Sequence, residues 1–442
     1  MELDWDWFRR RSVRLILGPP GTGKTHSLVQ WVSPNSLLIT FNVSAVEEAK
    51  SRGAIASTIH SLAVQAARSE GYTLPGTGNA DVMINVLRAR IARRHGLPYS
   101  LNPFYVRKGN KLFHYFDYVI HRWGRSGLDH VKPAPRVIML EYLERLERDN
   151  TIDFTTAFLH ARGFLHNASR LLVDEAQDLS PAMWRFIIES FDPEEVIIAG
   201  DDDQTIYHEL HAADPSILGE VSKYAEVSVL QESRRVPRRV ASIAERVIAP
   251  TRLLPKTWRP RPVEGEAEVI NGLVDGAMRE VGLGRKVFVV ARTNEVVLLA
   301  LHAFLMRGVI PGVMKRPEPP ILRAVREYIA NGEARVMGRR NKAMLRRIIN
   351  TVRERREEEV LGRGVITAPI IVDTVHQFKG READSVIIIN ATSSRIRNVN
   401  HDAERRLLYV AITRAKEKLL IYTPPKMRKW FNASLPVNDV NY

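Results

Sequence analysis

Gly18-Pro19-Pro20-Gly21-Thr22-Gly23-Lys24-Thr25 has the residue types and spacing of a phosphate cradle, the P-loop pattern. Gly18, Gly21 and Gly23, with Thr22 among them, let backbone N–H groups close on phosphate oxygens. In that pattern Lys24 reaches the β and γ phosphates, Thr25 holds Mg²⁺ through its hydroxyl, and the helix starting there adds its positive dipole end. Much later, Leu171-Leu172-Val173 runs into Asp174-Glu175-Ala176-Gln177-Asp178. An acidic pair at the end of an apolar strand suits nucleotide hydrolysis: Asp174 as a second Mg²⁺ ligand, Glu175 as the base that orients or deprotonates water. A third apolar run, Val196-Ile197-Ile198-Ala199-Gly200, ends in Asp201-Asp202-Asp203-Gln204-Thr205-Ile206-Tyr207.

The elements that must position these residues are short and continuously apolar, as strands of a parallel sheet buried on both faces are. Val13-Arg14-Leu15-Ile16-Leu17 precedes the cradle, and each polar cluster falls where a strand finishes, the place where open α/β sheets bind ligands. Five further runs, at 268–270, 286–290, 370–372, 386–389 and 418–422, predict a second sheet. At 442 residues the chain exceeds one hydrophobic core and predicts two or three domains. Lys and Arg outnumber Asp and Glu by 65 to 50, a net charge of +15 that favours a polyanionic partner, nucleic acid first. No apolar run of about 18 residues and no signal-peptide pattern predicts a membrane span or secretion. With no cysteine, disulfides and thiolate metal sites are excluded. No internal repeat or long low-complexity tract stands out.

Taken in order, these motifs and several others resemble those of UvrD/Rep-like helicases of superfamily 1. Leu38-Ile39-Thr40-Phe41-Asn42 and Ser57-Thr58-Ile59-His60-Ser61-Leu62 resemble the family's early DNA-contacting motifs. Residues 174–178 match its acidic motif and 200–207 its third, while Leu230-Gln231-Glu232-Ser233-Arg234-Arg235 resembles the fourth. Residues 374–382, containing His376 and Glu382, resemble the fifth motif, and 405–415, containing Arg414, the sixth.

The resemblance implies an α/β fold of two RecA-like P-loop domains, each a mostly parallel sheet flanked by helices and each carrying a mainly helical insertion. The expected boundaries are 1–62 and 151–232 for the first domain with its insertion at 63–150, then 233–310 and 366–442 for the second with a short basic insertion at 311–365. It implies ATP and Mg²⁺ as cofactors. Lys24, Glu175 and the γ-phosphate-sensing Gln204 come from the first domain, and Arg235 and Arg414 from the second as arginine fingers. His26, Arg234 and the ribose-contacting Glu382 complete the nucleotide set, and Phe41, Thr58, His60, Tyr207 and His376 touch the strand. Other readings stand beside these: Arg414 as a cation at a helix C-terminus, Arg235 as a surface charge, Glu382 as a solvated loop acid, and the histidines as core residues.

The implied activity is ATP-driven movement on single-stranded DNA, 3′ to 5′, with unwinding at duplex/single-strand junctions during replication, repair or recombination. RNA is compatible with the same backbone and stacking contacts. Repair or replication proteins are the expected partners, with the protein in the cytoplasm beside the DNA, or in the nucleus of a eukaryotic cell, and no membrane partner. The alternatives are a translocase that remodels protein–DNA complexes without unwinding, and a nucleotide-switched binding module with little turnover.

The chain departs from the family pattern around the adenine. No glutamine precedes Gln30, His26 stands where an arginine is usual, and Arg234 replaces a tyrosine, which predicts relaxed base preference. Glu209 replaces a strand-stacking tryptophan. Within the first insertion a helix is expected at 111–125, with Leu112, Phe116, Val119 and Trp123 in the core and Lys111, Tyr118, Arg122 and Arg125 opposite, tracking a backbone or solvated. Residues 311–365 hold fourteen Lys/Arg against seven Asp/Glu, and 335–356 reads as basic amphipathic helix.

Overall fold

The computed structural model describes residues 3–41, 43–51, 53–75, 79–102, 106–161, 167–314, 318–331, 350, 368–389 and 401–423. The chain packs as two compact units. The first comprises Met1–Leu101, Val106–Arg234 and Pro250–Arg259, and the second Asn102–Tyr105, Arg235–Ala249 and Pro260–Tyr442. The predicted basic helix at 335–356 lies outside the described residues apart from residue 350.

Unit 1 is built on strands β1 (Ser12–Leu17), β2 (Ser36–Thr40), β3 (Ala56–Thr58), β4 (Arg170–Val173), β5 (Glu195–Gly200) and β6 (Glu226–Val229). They form one sheet in the order β3-β2-β4-β5-β1-β6, and every neighbouring pair is parallel. The unbroken apolar runs follow from helices on both faces. Leu15, Leu17, Ile39, Leu171, Val173, Val196 and Ile198 pack into one core cluster. Ile16, Leu38, Leu172, Ile197 and Ala199, the alternate positions, pack into another.

Two short strands, β7 (Glu232–Pro237) and β8 (Arg259–Arg261), pair with each other. Unit 2 then contributes β9 (Glu266–Ile270), β10 (Val287–Ala291), β11 (Ile370–Thr374), β12 (Ala383–Ile389) and β13 (Ala415–Tyr422), in the order β11-β10-β12-β13-β9 and again all parallel. All five predicted strands fall in this sheet. Counted within each unit, both sheets share the order third, second, fourth, fifth, first, with β6 added in unit 1. The fold is thus α/β with two parallel, helix-flanked sheets.

The first insertion packs helices Ala80–Arg94, Lys108–Trp123 and Pro133–Arg148 around Phe113, Phe116, Val119, Ile120, Met139, Tyr142 and Leu143. The middle helix begins three residues earlier than expected and stops at Gly124, whose φ of 67° ends the helical run. Its core stripe is centred on Phe113, so Leu112 is only partly buried and Trp123, at the open end, is 38% exposed. Arg122 and Arg125, expected on the opposite face, are paired with Asp214 and Glu147. Inside the insertion Arg88 holds Asp117 through both terminal nitrogens, at 2.7 and 2.8 Å, and Asp153 at 2.6 Å.

Pro250–Arg259, expected with the second domain, packs with unit 1 instead. Arg252 and Lys256 hold it there through ion pairs to Asp201, Asp202 and Asp203. No helix among the described residues is long and apolar enough to cross a membrane.

Candidate nucleotide site and strand-facing rings

In unit 1 the predicted nucleotide residues lie at the C-terminal ends of neighbouring strands. After β1, the Gly18 N–H donates to the carbonyl of Gly200, the last residue of β5, at 3.2 Å. A Cβ on Gly18 would lie 2.4 Å from Thr22 Oγ1 and 3.0 Å from Lys24 Cγ, so only glycine lets the loop close this tightly. Gly21 and Gly23 take φ of 78° and 86°, a left-handed conformation that turns the chain into the helix Lys24–Val29. Lys24 is buried, its ammonium donating to the Gly18 carbonyl at 2.7 Å. Burial lowers its pKa, against the pull of Asp201, Glu175 and Asp174. His26 is exposed one turn in, with Nε2 3.4 Å from Gln30 Nε2.

Thr25 Oγ1 donates to Asp174 Oδ2 at 2.7 Å, which brings a hydroxyl and a carboxylate together from segments 149 residues apart. Two adjacent hard oxygen donors beside a phosphate loop fit Mg²⁺. Burial and then Glu175 push the Asp174 carboxyl up to about 6, against the Thr25 hydroxyl. Glu175 sits at φ 51°, a left-handed conformation unusual for a residue with a side chain. Its backbone N–H donates to Asp174 Oδ1 at 2.9 Å, and its carboxylate accepts from Gln177 Nε2. The Gln177 carbonyl oxygen accepts from the Asp201 N–H at 3.0 Å, so one buried amide joins the acidic turn to the turn after β5.

In that second turn the Gln204 amide donates to Asp201 Oδ2 at 2.7 Å. Asp201, Asp202 and Asp203 place carboxylate oxygens within 4.8 Å of one another, an arrangement able to hold a cation. The cation present is Lys256, whose ammonium lies 2.6 Å from Asp201 Oδ1 and 3.1 Å from Asp203 Oδ2 and also pairs with Asp202. Arg252 Nε adds a 2.8 Å pair to Asp203, and the N–H groups of Leu253 and Leu254 donate to Asp202. Lys256, Arg252 and Gln177 carry no role in the motif reading. Only the three consecutive aspartates hint that a countercharge must come from elsewhere.

Arg234 extends an exposed side chain beside the loop, its N–H donating to the Gly21 carbonyl at 2.9 Å. Ser233 Oγ donates to the Pro20 carbonyl at 2.8 Å.

The predicted strand contacts of unit 1, Phe41, Thr58, His60 and Tyr207, gather at the same end of the sheet. Phe41, following β2, lies 5.0 Å from the Tyr207 ring and 5.3 Å from His60. His211 joins at 5.8 Å from Phe41 and 5.9 Å from Tyr207, supplying a ring where Glu209 supplies none. Thr58 ends β3 and caps the helix Ile59–Ser69, Oγ1 accepting from the Ser61 N–H at 3.1 Å. Burial, then the neighbouring His211, pulls the His60 imidazole down to about 3, and burial also depresses His121 and His211.

In unit 2 the remaining predicted residues divide between the two ends of the sheet. His376 follows β11 at the C-terminal end, whereas Glu382 and Arg414 immediately precede β12 and β13. Arg235 Nε pairs with Glu382 Oε2 at 2.6 Å, which joins a predicted finger to the predicted ribose contact. Arg414 is buried, with Nε donating to the Val410 carbonyl at 2.9 Å in the last turn of the helix His401–Ile412. A cation there also complements the negative end of that helix.

A family model described as an AAA domain matches residues 8–209, and one described as a UvrD-like helicase C-terminal domain matches residues 369–422. No curated protein matches the chain. Among solved structures, "The structure of PRRSV helicase" is 13% identical over 97% of this chain and 55% of its own, with a TM-score of 0.38. "Crystal structure of Arterivirus nonstructural protein 10 (helicase)" is 13% identical over 93% of this chain and 59% of its own, with a TM-score of 0.36. This chain thus spans little more than half the length of either, and with TM-scores this low the family assignment rests on the two family models. Those matches bracket the phosphate cradle, the acidic turn and the distal motifs on two parallel sheets: the chain belongs to the UvrD-like helicases of superfamily 1.

Proposed function

We propose that this protein is a nucleic-acid-stimulated ATPase that moves along single-stranded DNA, 3′ to 5′, and separates duplex at single-strand junctions in replication, repair or recombination. The observation that carries the reading is the convergence in unit 1 of Lys24, Thr25, Asp174, Glu175 and Gln204 at adjoining strand ends, with Thr25 and Asp174 in direct contact. There Lys24 gives up its Gly18 carbonyl to meet the β and γ phosphates, while Thr25 and Asp174 hold Mg²⁺, which supplies charge neutralisation when bound. Glu175 takes the proton of the attacking water, Gln204 orients that water, and Arg235 and Arg414 supply positive charge for the γ phosphate. Phe41, Tyr207 and His60 form the base platform, with Thr58 and His376 as polar contacts. Arg234 stacks on the nucleotide base as a guanidinium plane, which predicts loose selection for adenine.

The test is steady-state ATP hydrolysis by wild type and Glu175→Gln, with single-stranded DNA, with RNA and with neither. The expected result is DNA-stimulated turnover that the substitution cuts by roughly 10²- to 10⁴-fold while nucleotide binding persists. Stimulation by RNA alone reassigns the track, and turnover indifferent to both withdraws the motor reading.

A further inference from the structure

Lys256 has no place in any motif, yet it is among the most enclosed charges of unit 1, with a fully buried side chain bonded to three consecutive aspartates. An unpaired ammonium at such a depth would be strongly disfavoured, and so would three neighbouring carboxylates without a cation. The two problems cancel. Asp201, at the centre, also accepts from the Gln204 amide at 2.7 Å. An ionised carboxylate can only accept hydrogen bonds, so it dictates that Gln204 turns its NH₂ toward Asp201 and keeps its carbonyl oxygen directed elsewhere. A protonated Asp201 could donate instead, and the amide could then bind in either sense.

We propose that Lys256 is a positioning residue for Gln204: by keeping Asp201 an anion it selects the one amide orientation in which the glutamine NH₂ faces Asp201 and the carbonyl oxygen, as the acceptor, orients the attacking water. The inference deepens the proposed hydrolytic function and rests on it. Burial pushes the Asp201 carboxyl up, but Lys256 and then Lys24 outweigh it and hold Asp201 below the ordinary carboxylate range. Burial followed by Asp201 raises Asp203 to about 6, a sign of how strongly these carboxylates oppose one another's charge. The groups facing Asp201 are Asp202, Asp203 and Gln204 on its own turn, Gln177 from the acidic turn, Lys24 from the phosphate loop, and Lys256 from the segment Pro250–Arg259; Glu175 lies against Gln177 and Lys24. Arg252 pairs with Asp203 at the edge of the cluster.

The test compares wild type, Lys256→Met and Lys256→Arg for nucleotide affinity and for DNA-stimulated kcat and KM between pH 6 and pH 9. Lys256→Met is expected to lose about 10- to 100-fold in kcat, as supporting residues behind catalytic groups do, with nucleotide affinity and KM nearly unchanged. Its remaining kcat should climb with pH as Asp201 regains its charge, while wild type stays flat, and Lys256→Arg should recover part of the loss. A Lys256→Met enzyme with the wild-type kcat and pH profile overturns the inference, as does a parallel rise in KM and loss of nucleotide binding. Should Lys256→Met fail to fold, Lys256→Gln, which keeps hydrogen-bond donors without the charge, is assayed in its place. A wild-type kcat in that variant overturns the inference equally. If wild type itself shows no turnover, the functional reading fails first and the inference falls with it, an outcome distinct from an active wild type with an indifferent Lys256→Met.

Discussion

At the scale of single residues, the proposed base platform is a cluster of half-buried rings in which no one ring dominates. Phe41 touches Tyr207, His60 and His211, so it is the shared member. Phe41→Ala should weaken single-strand binding by about 1 to 3 kcal/mol, the usual worth of one stacked base, without altering DNA-independent ATP turnover. His211→Ala should weaken it in the same direction by less, because His211 meets Phe41 at a wide angle of 51°. Fluorescence anisotropy with a labelled oligonucleotide checks both. Equal affinity in the His211 variant would leave Glu209 as an uncompensated loss. Position and role separate most clearly for Arg414: a motif locates the residue, but its hydrogen bonds to the helix end emerge only on folding.

At the scale of elements, each candidate residue is held by a strand end or a helix start, and some serve the element directly. Thr58 both ends β3 and caps the helix Ile59–Ser69 through the Ser61 N–H. Thr58→Ala should therefore cost about 1 kcal/mol of unfolding free energy, whereas Thr58→Ser should retain the cap. Chemical denaturation measures that difference, and strand affinity measured in the serine variant separates capping from contact with nucleic acid. The expected strands were legible because parallel strands covered on both faces are uninterrupted apolar runs, as Leu171-Leu172-Val173 shows. The helix at Lys108–Trp123 was legible in type and half in face: Phe116 and Val119 are core as periodicity placed them, while Phe113 and Ile120 take the places expected of Leu112 and Trp123. A one-residue shift of a helical stripe changes little in the pattern and decides which aromatic reaches solvent.

At the scale of the whole molecule, unit 1 contains a set of imidazoles, His121 buried and His60 and His211 half-buried, that makes its stability sensitive to acid. His60, His121 and His211 are each held in the neutral form by burial, His60 down to about 3, and His121 Nδ1 lies 3.0 Å from Ser180 Oγ. Because folding depresses these pKa values, their contribution is fully present above the ordinary histidine pKa and is lost as pH falls toward the folded value. Below about pH 6.5 each such group removes up to about 1.4 kcal/mol per pH unit until it titrates. Thermal melts should accordingly fall steeply from pH 6.5 to pH 4.5, and His121→Gln, which cannot take the proton, should flatten that dependence. An identical slope in the variant would remove His121 from the set.

The phosphate loop, the acidic turn and the apolar strands were determined by the sequence alone, because each depends on neighbours a few residues apart: glycines that permit a left-handed turn, carboxylates beside an apolar run, and buried residues in unbroken series. Tertiary structure alone decided that Lys256 neutralises aspartates more than fifty residues away, that His211 enters the Phe41 ring cluster, and that Arg88 gathers Asp117 and Asp153. It also decided that two units with no evident repeat share one strand order. Such pairings arise from which segments a sheet brings side by side. Burial and charge compensation then select the partner, and neither leaves a periodic trace along the chain.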